Sequence, residues 1–236
     1  MKTATNRITS NGPTELPKPN RIQEAVELPP LVLDKVNIHV VGISPLIVHN
    51  WSEKAIRMML DKQTGKASKG REKKDPFADF KSSLYPLSDG KGYGIPAPAF
   101  KACAVTAANS VELKMTQMRM AFHVSWFLVP IIGEPITKPA TEWDKEYAKE
   151  LKPFHAQGIS MRMDVVRLES GVADLRFRAW YPRWSAELEV EYNKQMLSLA
   201  QLVNLFRAGG LGCGIGEWRP SSPQCRSGEF GRFEIK

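Results

Sequence analysis

An α+β fold, an antiparallel sheet with helices on one face, is predicted by three observations. Several stretches alternate apolar and polar residues with the period of a half-buried strand, for example Val36, Ile38 and Val40 against Asn37 and His39. Others carry apolar stripes at helical spacing, as in Phe100, Cys103, Ala104 and Ala107. Their order is strand, helix, strand, helix, several strands, helix, glycine-rich loop, strand, which lacks the regular alternation of a parallel sheet. At 236 residues the chain is long enough for one domain with insertions.

Residues 1–33 read as a flexible arm, because Pro13, Pro17, Pro19, Pro29 and Pro30 interrupt any period. The domain itself is expected over 34–236. After the strand at Lys35–Val41, Asn50 is expected to cap a helix, with Glu53 reaching back and Ile56, Met59 and Leu60 as its stripe. A basic loop insertion follows at 61–81. Within it, Lys62, Lys66, Lys69, Arg71, Lys73 and Lys74 stand against Glu72 alone between Lys62 and Lys74, a composition suited to folding over a polyanion. Asp75 and Asp79 beside it are satisfied by salt pairing and suggest no metal-dependent cleavage.

Gly92–Pro96 reads as a short strand entering a helix, with Pro98 in the first turn and a stripe running from Phe100 to Val111. Lys101 lies off that stripe, where a cation opposes the helix dipole unless a phosphate sits there too. A strand is predicted over Arg119–Leu128: Met120, Phe122, Val124, Trp126 and Leu128 face the core, while Arg119, His123 and Phe127 form a basic and aromatic face of the kind that bases stack on. Residues 130–158 read as an irregular insertion with a short charged helix. Leu175–Tyr181 and Glu187–Tyr192, joined through Pro182 and Arg183, are expected to form a hairpin that sets Arg176 and Arg178 against glutamates. Met196, Leu199, Ala200, Val203 and Phe206 stripe the last helix.

That helix delivers the chain to the run from Gly209 to Pro220, in which five glycines fall within eight residues. Glycine backbone of this density takes positive φ or lets a ligand approach closely, and successive N–H groups there form anion-binding concavities. Gly212, Gly214 and Gly216 are therefore placed at a phosphate contact, with Arg219, Arg226 and Arg232 as cations and Trp218 as a stacking ring. The spacing matches neither a dinucleotide fingerprint nor a phosphate loop, so no cofactor is expected. Cys103, Cys213 and Cys225 include no Cys-x-x-Cys pair; neither a zinc site nor a disulfide framework is indicated. The net charge of +8 favours an anionic partner, nucleic acid first. No apolar run approaches membrane-spanning length, and the expected setting is cytoplasmic, with no membrane partner.

Gly94-Ile95-Pro96-Ala97-Pro98-Ala99-Phe100-Lys101-Ala102, together with Gly212–Gly216 and Gly228-Glu229-Phe230-Gly231-Arg232-Phe233, resembles the repeat-associated (RAMP) superfamily of RNA-binding proteins of CRISPR complexes, especially its backbone subunits. The first stretch is similar to the family's strand-to-helix motif and the second to its C-terminal glycine-rich loop. Where the family usually has Pro-Gly-Ser-Ser before the lysine, this chain has Pro96-Ala97-Pro98-Ala99. Ser44-Pro45-Leu46-Ile47 also looks like uncharacterised bacteriophage proteins. The resemblance covers about a third of the chain. It implies a ferredoxin-like, RRM-like sheet, single-stranded RNA as ligand, and a filament of copies beside other subunits of a nucleoprotein complex. Related RNA-processing nucleases in the superfamily place a histidine near the first helix, where His49 falls.

The expected function is non-catalytic binding of single-stranded RNA or DNA by a self-associating protein. One alternative is a metal-independent endoribonuclease using His49 as general base. Another is a phage protein that acts as an inhibitor or structural interaction partner through its basic surface.

Overall fold

Residues 30–66, 73–167, 171–223 and 228–236 are described by a computed structural model, in which Leu31–Lys236 forms one compact unit. Residues 1–29 of the predicted arm 1–33, and likewise Lys69, Arg71 and Arg226, lie outside the described residues, while Leu33 already belongs to the first strand.

The main sheet is built from β1 (Leu33–Gly42), β5 (Phe122–Val124), β10 (Trp184–Asn193) and β11 (Phe233–Ile235), in the order β11-β1-β10-β5 with every pair antiparallel; β7 (Ile132–Gly133) joins the other end of β10. Alternation sets its two faces. Val36, Ile38 and Val40 stand opposite Val190, Leu188 and Ala186, and these side chains turn toward α3 (Ala97–Ala107) and α7 (Leu199–Gly212). Phe122 meets Phe206 with ring centroids 5.6 Å apart, and Phe100 meets Phe233 at 5.9 Å, so both helices close over the same face. The opposite face is wet. It carries Lys35, Asn37 and His39 against Glu191, Glu189 and Glu187.

Gly210 lets α7 touch the sheet, since a Cβ there would lie 2.2 Å from the Phe233 carbonyl oxygen. Leu202, Leu205 and Phe206 form the buried stripe of α7, while Met196 and Leu199 are exposed, contrary to the sequence expectation. The Ser198 and Gln201 capping box starts the helix at Leu199, so Met196 precedes it, and Leu202, Leu205, Phe206 and Gly209 lie on its buried face.

A second antiparallel sheet holds β2 (Leu46–Val48), β9 (Ala173–Tyr181) and β8 (Ser160–Arg167) in the order β2-β9-β8. This corrects the predicted hairpin. β9 and β10 are consecutive in the chain but belong to different sheets, and Arg178 meets Asp164 of β8 instead of a glutamate of β10. The β10 glutamates pair with β1, Glu187 with His39 and Glu189 with Lys35. A third small sheet, β3 (Tyr85–Pro86), β4 (Tyr93–Pro96) and β6 (Leu128–Pro130), leads directly into α3.

The strand predicted over Arg119–Leu128 is mostly something else. Met115–Ala121 is a helix, α4, that buries Met118 and Ala121, and the chain then makes three strand residues before turning at Trp126, whose φ is 75°. Met118, Ala121 and Phe122 satisfy a helical spacing that the alternation concealed. Met120 and Trp126, expected in the core, are exposed.

The stretch 130–158 is regular rather than irregular. After β7 it forms α5 (Glu142–Glu146) and α6 (Ala148–His155), and Leu151 and Phe154 enter the core. Asp144 ties it down: the carboxylate accepts from the backbone N–H groups of Ala140, Thr141 and Met161 and from the Ser160 hydroxyl, and lies 3.0 Å from His155 Nε2. Ser52, not Asn50, caps α1 (Glu53–Gln63), a helix with no buried residue. α2 (Pro76–Ser82) occupies part of the predicted basic loop; Asp75 caps it, and Phe80 is buried.

Candidate nucleic-acid interface

A cleft of about 300 Å³ opens where three parts of the chain converge. One wall is the β4–α3 junction and the small side chains of α3: Pro96, Ala99, Ala102, Cys103 and Thr106. Val48, His49 and Tyr85 form the second wall, and the loop after α7, from Gly214 to Ser221, forms the third. The glycine run is divided by the structure. Gly209–Gly212 is helix and only the residues from Cys213 onward are loop, so Gly212 ends α7 instead of lining the cleft.

The loop is held by backbone bonds. Glu217 N–H donates to Ile47 O at 2.9 Å, Gly231 N–H to Pro45 O at 2.8 Å, and Ile215 N–H to Gly231 O at 2.9 Å. Gly216 combines a φ of 74° with a Cβ position only 2.5 Å from Ile47 O; a side chain there would part the loop from β2.

Within the cleft, Nδ1 of His49 lies 3.6 Å from Oε1 of Glu217. The Glu217 carboxylate is also 3.4 Å from Nη1 of Arg178, a side chain 1% exposed that forms a 2.8 Å pair with Asp164. Arg162 completes the chain with its own 2.8 Å contact to Asp164. The His49 ring, and after it Arg178 and Arg176, holds the Glu217 carboxyl below its ordinary range even though burial pushes the other way. Burial first, then the Glu217 charge, raises the Tyr85 phenol. The Tyr85 hydroxyl donates to the His49 carbonyl, and the His49 ring lies nearly parallel to Trp51, with centroids 6.5 Å apart. Among the described residues no group of three or more His, Cys, Asp or Glu side chains is placed to hold a metal ion.

The structure thus brings His49, Gly214, Gly216 and Arg219 together and leaves the other predicted residues that it describes elsewhere. Arg219 Nη1 donates to Gly216 O at 3.0 Å, so it braces the loop as well as lining the cleft. Trp218 is engaged: Arg178 lies 4.8 Å and Arg162 5.8 Å from its ring, with Phe230 alongside, which makes it part of the support under Glu217. Arg232 pairs with Glu229 at 2.8 Å and does not line the cleft. Lys74 pairs with Asp174 and Lys66 with Asp61, while Lys73 is exposed. Lys101, Arg119 and Phe127 lie outside the cleft: Lys101 Nζ is 3.1 Å from His123 Nδ1 on β5, Arg119 is in the last turn of α4, and Phe127 is in the β5–β6 turn. Tyr85, Glu217 and Ser221 are lining residues that motif reading missed. A carboxylate directly after Gly216, in a segment otherwise cationic, was the signal available for Glu217.

Compared with known protein families and with curated proteins, the chain matches none. Among solved structures, the crystal structure of Cmr6 from Pyrococcus furiosus aligns with a TM-score of 0.38 and 10% sequence identity, over 87% of this chain and 100% of that one.

Proposed function

We propose that this protein binds single-stranded nucleic acid, RNA in preference to DNA, through backbone contacts at the cleft and without catalysis. The observation that carries this reading is the cleft itself, where a positive-φ glycine loop and Arg219 lie over the small residues of α3 in a chain of net charge +8. The proposal includes a ferredoxin-like core, supported by the succession β1-α3-β5-β10-α7-β11 and the order β11-β1-β10-β5, which are those of a split βαβ sheet. It also includes assembly of several copies, supported by the uncovered Ile56, Met59 and Leu60 of α1.

The test is binding of oligouridylate and oligothymidylate of equal length across a salt series. Affinity for both that falls with salt, stronger for the ribose strand, is expected. A purified protein that carries no nucleic acid and binds neither strand at low salt overturns the reading.

One observation favours a second reading, metal-independent RNA cleavage: His49 has a carboxylate partner, Glu217, beside Tyr85 in the same cleft. A ring oriented in this way can take the proton of a ribose hydroxyl. Reproducible cleavage in the presence of a chelator that disappears in His49→Ala would place this reading first.

A further inference from the structure

The turn between β5 and β6 holds two aromatic rings in solvent on a strained backbone. Trp126 is 69% exposed and Phe127 85% exposed, and Trp126 takes a φ of 75°. Left-handed backbone disfavours a bulky side chain, and glycine or asparagine would adopt it with little strain. Bonds on both sides impose it. Ser125 N–H donates to Glu189 O at 2.8 Å and its hydroxyl to Glu189 Oε1 at 2.9 Å, while Phe127 O accepts from Ala97 N–H at the first turn of α3 at 3.1 Å. A strained, exposed, doubly anchored residue is the pattern of a presented side chain.

A cation stands beside the strand that leads into the turn. Lys101 stands one helical turn beyond Ala97, with Nζ 3.1 Å from Nδ1 of His123 on β5, and desolvation lowers its pKa. Arg119 lies in the last turn of α4, just before β5. Neither pairs with a carboxylate among the described residues. Glu189 is engaged by Ser125 and Lys35, and Glu191 is the register partner of His123.

We infer that Trp126 and Phe127 form a base-stacking tip, separate from the cleft, that takes bases of a single strand while Lys101 meets its phosphates. This rests on the nucleic-acid reading above and adds a contact to bases where the cleft supplies contacts to the backbone. Aromatic stacking tolerates any base, because each presents a π-face, so the tip gives affinity without sequence choice. Lys101 beside the strand that leads into the turn, in a chain of net charge +8, favours a polyanion over an apolar protein surface as the occupant.

The test measures fluorescence anisotropy of labelled oligouridylate, oligothymidylate and an abasic strand of equal length, with the full-length protein and its Trp126→Asn, Trp126→Phe and Phe127→Ala variants. Trp126→Asn should weaken binding of both base-bearing strands about tenfold, the scale of one lost stack. It should leave the abasic strand unaffected and hold or raise the melting temperature, because asparagine tolerates the left-handed turn. Trp126→Phe should retain most of the affinity, and Phe127→Ala should lose several-fold without touching the strained position. Unchanged affinities in Trp126→Asn and Phe127→Ala overturn the stacking tip and leave the cleft reading standing. A parent protein that binds no strand overturns both. Unchanged strand affinity with a smaller assembly in light scattering also overturns the tip, assigning it to contact between copies.

Discussion

The Glu217 carboxylate sits between the half-buried ring of His49 and the buried guanidinium of Arg178, with Oε1 3.6 Å from the first and Oε2 3.4 Å from the second. Its place is set by main chain: Glu217 N–H is bonded to Ile47 O, so the register of the loop on β2 decides where the carboxylate points. Arg178 in turn is fixed by Asp164. The polar floor of the cleft is therefore a single connected network from β8 through β9 to the loop.

A pH dependence follows from the direction of the Glu217 shift. Its folded-state pKa is depressed, so the pairing contributes stability that is fully present above the ordinary carboxylate range and is lost as pH falls through the depressed value. Denaturant titrations should show Glu217→Gln less stable than the parent at pH 7, with the gap narrowing below about pH 4. An equal gap at pH 7 and pH 3 would show that Glu217 is not stabilised by its charge.

Local pattern and distant partner explain which features were legible in the sequence. The β4–α3 junction was readable because Gly92–Pro98 contains its own turn chemistry, and β1 was readable because Val36, Ile38 and Val40 are a complete face. The pairing of β9 was not. Alternation in Leu175–Tyr181 shows a strand but not its neighbours, and the burial of Arg178 depends on Asp164 and Glu217, which no local period connects. The cleft was half readable for the same reason. Its glycines and Arg219 announce themselves by composition, whereas Tyr85 and Glu217 gain a role only when β2, α3 and the loop meet.

Asp144 offers a test of the 130–158 segment as part of the fold. Burial raises its pKa, but the bonds from Ser160, His155, Met161 and Ala140 outweigh that and leave it lowered, so its contribution too is present above the ordinary carboxylate range and lost on acidification. Asp144→Asn turns an amide toward groups that are nearly all donors, and should cost about 3 kcal/mol in chemical denaturation at pH 7. A loss under about 0.5 kcal/mol, the range of an ordinary surface change, would mean that α5 and α6 are an appendage.

Two neighbouring glycines of α7 should respond in opposite directions. Gly210→Ala forces a methyl group into the Phe233 carbonyl and should destabilise by about 2 kcal/mol or more. Gly212 has open space around its Cβ position and no positive φ, so Gly212→Ala should stabilise by roughly 0.5–1 kcal/mol through helix propensity. Thermal melts of the pair check this, and equal shifts would contradict the packing of α7 on β11.

Arg219 separates brace from ligand contact. The bond from its Nη1 to Gly216 O is a single charge-assisted contact at a partly buried position, and removing it should cost the fold no more than about 1 kcal/mol, because the loop keeps its bonds to Ile47 and Pro45. If the guanidinium also meets phosphate, Arg219→Ala should weaken single-strand binding by about 1–2 kcal/mol and reduce the salt slope by about one. Arg219→Lys is the informative companion. It keeps the charge but not the planar fork, so it should restore the salt slope while recovering only part of the affinity. Early melting of Arg219→Ala with normal affinity in the remaining folded protein would make Arg219 a brace alone, and the nucleic acid would then have to be held at the β5–β6 turn.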